Sequence, residues 1–81
     1  MSALELYLKA IRDSKGIEHM SAMQNLRAYM GLSSDVELYA AIYRMQDIDL
    51  FRYLIEAGLK PELLRITLKR YDALKKQSEV K

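Results

Sequence analysis

Apolar side chains recur along this chain three and four residues apart, the spacing of one helix face, in successive segments separated by glycine, serine or aspartate. In the first segment Leu4, Tyr7, Leu8 and Ile11 fall at i, i+3, i+4 and i+7. They follow Ser2-Ala-Leu-Glu5, an S-x-x-E capping box in which serine oxygen and glutamate carboxylate each satisfy a free first-turn amide. Gly16, after Asp13-Ser14-Lys15, is its stop. The second segment carries Met20, Met23, Leu26 and Met30 on one face. Its start lies either near Ile17 or at Ser21, where Ser21-Ala-Met-Gln24 offers another box, and Gly31-Leu32 reads as its end. A third box, Ser34-Asp-Val-Glu37, opens a helix with Leu38, Ala41, Ile42 and Met45 inward, ending near Gln46.

Residues 47–71 are the stretch around which the rest is arranged. Asp47 is placed to cap a helix and Asp49 adds negative charge where the helix dipole favours it. Leu50, Phe51, Tyr53, Leu54, Ile55 and Ala57 then cover more of the circumference than a surface helix needs, so this helix is central or docks on another chain. Gly58 ends it in a left-handed turn that folds Leu59 back toward Leu54, and Pro61 opens the last helix, where its missing amide costs nothing. That helix runs to about Gln77 with Leu64, Leu68, Tyr71 and Leu74 inward, and residues 79–81 are expected to fray. The link around Asp47 is so short that it predicts a third and a fourth helix side by side, roughly antiparallel or steeply crossed. The expectation is an all-α fold in a single domain spanning 1–81. It is a compact bundle of about five short helices, antiparallel hairpins plus a longer basic C-terminal helix.

Two internal echoes run through this pattern. Glu5-Leu6-Tyr7 with Arg12 returns as Glu37-Leu38-Tyr39 with Arg44, and the Gly-Leu bend at 31–32 returns at 58–59 before an acidic first turn. The spacings of 32 and 27 residues differ, which is too loose for a solenoid. The segment Gln46 to Leu59 resembles the second helix and closing glycine of an ankyrin repeat. Glu37 to Tyr43 before it lacks the proline and histidine of that family's T-P-L-H-x-A opening, and no 33-residue period runs along the chain. The resemblance therefore implies only that the third and fourth helices pack as such a hairpin does.

Composition narrows the function classes. At 81 residues the core is thin, and cysteine is absent, so neither disulfides nor Cys-based zinc sites are available. No apolar run approaches the ~20 residues of a membrane span, and Glu5 stands where a signal peptide would be basic. The expectation is a cytoplasmic protein with no membrane partner. His19 is the only histidine, and the closest acidic pairs, Asp35 with Glu37 and Asp47 with Asp49, sit two apart at helix starts, where capping accounts for them. No phosphate loop, nucleophile elbow or HExxH occurs. No catalytic, cofactor-binding or metal-ligating set emerges, and a non-enzyme without cofactor or small-molecule substrate is expected.

Two binding readings remain. Six tyrosines suit half-wet surfaces, being apolar in body and polar at the tip. Tyr39 and Tyr43 lie one turn apart on the third helix, with Met23, Tyr29 and Met30 expected to extend the patch and Tyr53 to contribute from the fourth. This predicts a regulatory or adaptor protein that binds another protein or itself through Met23, Met30, Tyr39, Tyr43 and Tyr53. The alternative rests on charge. Residues 1–59 hold 6 Lys/Arg against 8 Asp/Glu, whereas residues 60–81 hold 7 against 3. Residues 50–70 have the helix, glycine turn, helix order of a DNA-binding unit, with Arg65, Lys69, Arg70 and Lys76 for phosphates. Against it, Glu62 stands at the leading edge of the second helix and Asp72 interrupts the basic stripe.

Overall fold

The computed structural model describes residues 2–79, and among them every regular element is a helix. In order they are α1 (Ala3–Arg12), α2 (Ile17–Leu32), α3 (Asp35–Arg44), α4 (Ile48–Glu56) and α5 (Pro61–Glu79). The result is the small all-α bundle that the spacing of apolar residues predicts. Three starts are capped by the expected side chains. Ser2 Oγ accepts from the Glu5 amide at 3.3 Å, Ser34 Oγ from the Glu37 amide at 3.2 Å, and Asp47 Oδ1 from the Asp49 amide at 3.1 Å.

Helix α4 buries one full side, but the helix with the most neighbours is α1. It packs on α2, α3 and α4, whereas α4 packs on α1 and α5, so the central place expected for the fourth helix falls to the first. Leu50, Phe51 and Leu54 are fully buried, and they join Leu4, Leu8 and Ile11 of α1, Leu26 of α2, Ile42 of α3, Met45 of the link after α3, and Leu63 of α5 in one apolar cluster. Phe51 also meets Tyr71 of α5, ring centroids 6.2 Å apart. Gly58 closes α4 with φ +87, donating its amide to the Ile55 carbonyl at 3.3 Å. The chain then reverses so that α5 packs back on α4. Leu59 returns to the core as a half-buried side chain.

The neighbours differ from expectation at several points. Helix α2 pairs along α1, α4 packs on α1 and α5, and α3 packs on α5 and more lightly on α1. Helices α3 and α4, although joined by the shortest link, do not run alongside each other. The hairpin that the ankyrin-like segment implies is therefore not formed. The reason lies at Met45, whose extended backbone and full burial turn the chain a corner and send α4 across to α1.

Other departures concern helix ends and faces. Gly31 does not end α2: it lies within the helix with no positive φ, and the stop comes at Ser33, whose hydroxyl donates to the Tyr29 carbonyl at 2.8 Å. Helix α2 begins at Ile17 after Gly16 (φ 62), so Ser21 is interior rather than a cap. Met20 is 64% exposed and Ala22 is buried in its stead. A small side chain there lets α2 approach α1 closely, which hydropathy spacing cannot register.

On α5 the inward line is Leu63, Thr67 and Leu74, while Leu64 is half-buried and Leu68 lies 47% exposed. Thr67 is fully buried because its hydroxyl donates to the Leu63 carbonyl at 2.7 Å, so the polar group goes inside with its partner supplied by its own helix. Of the tail expected to fray, Glu79 still belongs to α5 and residues 80–81 lie outside the described residues.

The echoes turn out to be echoes of capping. Helices α1 and α3 each have 10 residues and a serine cap, yet Leu6 is 58% exposed where its counterpart Leu38 is 4% exposed. The two helices bury different faces of the same motif.

Candidate protein-binding surface

Helix α3 is apolar on two sides. Its inner line, Leu38, Ala41, Ile42 with Met45 beyond, is buried in the core as expected. On the opposite side Val36, Tyr39, Ala40 and Tyr43 recur at i, i+3, i+4 and i+7, a second complete helical stripe. Val36 is 77% exposed and Tyr43 57% exposed; Ala40 is exposed and Tyr39 is half-buried, leaning on the core. Leu32, which ends α2 just before this helix, is also exposed. Capping grammar explains the start of α3, and core packing explains its inner line, but neither accounts for an apolar outer line.

The five residues expected at a partner surface are spread over three helices. Tyr39 and Tyr43 share the outer face of α3. Met23 and Met30 share a face of α2 and are half-buried against the core. Met30 reaches the neighbourhood of α3 only at its first turns, in a groove of about 270 Å³ that Asp35, Leu38 and Lys60 also line. Tyr29 is half-buried too, and its ring stacks on Tyr7 of α1 with centroids 4.8 Å apart. Tyr53 on α4 is half-buried, with the Arg52 guanidinium 5.6 Å from its ring centroid. Sequence reasoning missed Val36 and Ala40, although their spacing with Tyr39 and Tyr43 was there to be read. It also missed a groove of about 440 Å³ between α1 and α2, floored by Ala3, Ala10 and Ala22 and edged by Leu6.

The basic residues of α5 divide. Arg65 and Lys69 are exposed on its outer side. Lys76 Nζ lies 3.8 Å from Asp72 Oδ2, one turn back. Arg70 is half-buried because it continues the inward line of Leu63, Thr67 and Leu74, and its Nε is buried with no hydrogen-bond partner. The Lys60 ammonium is 3.3 Å from Asp35 Oδ1, tying the Gly58 turn to the start of α3.

Two further polar side chains tie elements of the fold together. The His19 ring donates from Nδ1 to the Ile11 carbonyl at 3.2 Å, joining α2 to the end of α1. Arg12 bonds Asp13 at 3.2 Å and reaches Asp47 at 3.5 Å; the hydrogen bond and charge of Asp13 push its pKa above the ordinary guanidinium value. Among the described residues no group of three or more His, Cys, Asp or Glu is placed to hold a metal ion, and no helix is long and apolar enough to cross a membrane. No protein-family model, no curated protein and no solved structure matches this chain at a significant level.

Proposed function

We propose that this protein is a small regulatory or adaptor protein that acts without catalysis, through protein–protein contacts centred on the outer face of α3. The observation that carries this reading is the second apolar stripe, Val36, Tyr39, Ala40 and Tyr43, on a helix whose other apolar stripe is already buried. Covering apolar surface such as that of Val36 and Tyr43 is favourable at ~25 cal/mol per Å² removed from water, and the ordering costs of association take back part of that gain. Tyrosine belongs at such a contact because its ring excludes water while its hydroxyl keeps a hydrogen bond. The same reading places the protein in the cytoplasm, where a chain without cysteine loses nothing to reducing conditions.

Site-specific crosslinking in the cells that make the protein tests this. A photoreactive side chain at position 43 is expected to capture a polypeptide on illumination, and one at position 69 is not. If position 43 captures no polypeptide, the reading fails.

A second reading, nucleic-acid binding, is favoured by one observation. The α4, Gly58, α5 unit presents Arg65 and Lys69 outward with no ionic partner among the described residues. It is weaker because Arg70 lies half-buried on the inward line and Asp72, 3.8 Å from Lys76, offsets part of the positive charge that phosphate neutralisation uses.

A further inference from the structure

Resting on the protein–protein reading, we propose that the occupant of the outer face of α3 is the same face of a second copy of this chain, the two α3 helices running antiparallel about a twofold axis near Ala40. Two features of the stripe point to a copy. The first is its shape. Ala40 is exposed near the middle of α3, with Tyr39 beside it and Val36 and Tyr43 toward either end. A small residue at the centre lets two helix axes approach, and a tyrosine ring from each copy covers the space left beside the alanine of the other.

The second feature is charge. At 3.6 residues per turn, Glu37 and Arg44 fall on one edge of the stripe about two turns apart, and Asp35 falls on the other edge. Glu37 and Arg44 are both exposed, and neither has an ion-pair partner within the chain among the described residues. Asp35 is already engaged by Lys60 at 3.3 Å. An antiparallel twofold sets each edge against the same edge of the other copy with the ends exchanged. Glu37 then meets the second copy's Arg44, and the reciprocal pair forms by symmetry. A parallel arrangement sets opposite edges together, bringing Glu37 toward Asp35, acid against acid. The unpaired edge is thus self-complementary in one orientation only, which is a stronger requirement than an unrelated partner would impose.

Sedimentation or light scattering over a range of concentrations, at low salt, reads the outcome. The native chain is expected to dimerise, and Glu37→Arg and Arg44→Glu, each replacing two attractive pairs by two repulsive ones, to weaken dimerisation by on the order of ten-fold. Mixing the two variants in equal amounts is expected to restore association, because the mixed dimer regains both opposite-charge pairs; the Glu37→Arg/Arg44→Glu chain restores it alone. Circular dichroism establishes that each variant is folded, as expected for exposed positions. A monomer at every concentration, or single variants that dimerise as the native chain does, or a mixture that fails to recover, overturns the proposal. The two readings separate through position 43. A crosslinked product of twice the chain's mass supports self-association, one containing a different polypeptide overturns it while leaving the protein–protein reading, and no product removes both.

Discussion

Arg27 of α2 donates from Nε to the carbonyl of Ala57 at 3.1 Å, thirty residues away, at the point where α4 ends and the chain reverses. The carbonyls of a last turn have no partners within their helix, and a guanidinium beside them also meets the negative end of the helix dipole. Replacing Arg27 by methionine keeps much of the apolar stem and removes the donor. The expected cost is about 1 kcal/mol, read as a melting temperature lowered by roughly 4–8 °C in a domain of this size. An unchanged melting curve would show that water serves the Ala57 carbonyl equally well.

Gly31 and Gly58 stand in matching Gly-Leu pairs and are expected to respond with opposite sign. Gly58 has φ +87, so a Cβ there is strained even though the space around it is open, and Gly58→Ala should destabilise by about 1–2 kcal/mol. Gly31 is helical and a Cβ there also meets nothing within 4 Å, so Gly31→Ala should stabilise by up to about 0.5–1 kcal/mol through reduced freedom of the unfolded chain. Denaturant titration of both variants measures the difference, and effects of the same sign would contradict the assigned backbone.

Phe51 and Leu54 are both fully buried at the junction of α1, α4 and α5. Truncation to alanine typically costs about 3–5 kcal/mol for phenylalanine and about 2–5 for leucine. A chain of this length has about 4–12 kcal/mol in all, so Phe51→Ala is expected to lose its cooperative melting transition near physiological temperature. Thr67→Val, equally buried, should change stability by less than about 1 kcal/mol, because the lost hydroxyl bonds only a carbonyl of its own helix. Thermal melts followed by circular dichroism compare the three.

The nucleic-acid reading has a clean test only at the outward positions. Arg65→Glu/Lys69→Glu reverses two exposed charges and should leave the fold intact, while Arg70→Glu puts a carboxylate on the inward line of α5 and should destabilise. Gel retardation of the native chain at two salt concentrations, repeated with the double variant, is expected to show no salt-sensitive complex. A complex that weakens with salt and disappears in the folded double variant would make α5 the functional surface.

Local chemistry decided much of this molecule before any tertiary contact formed. Ser2, Ser34 and Asp47 announce their helices because a cap bonds amides two or three residues away, and Gly58-Leu59-Lys60-Pro61 announces the reversal because φ above zero and a missing amide are properties of single residues. The apolar run of α4 likewise required burial. Its neighbours were not legible. That α2 approaches α1 over Ala22, that α4 crosses to α1 rather than pairing with α3, and that Thr67 goes inside in place of Leu68 all depend on shapes fitting across the core. So does the outer stripe of α3: its periodicity is written in residues 36–43, but both lines of that helix are apolar, and only the packing of the other helices determined which one was covered and which was left in water.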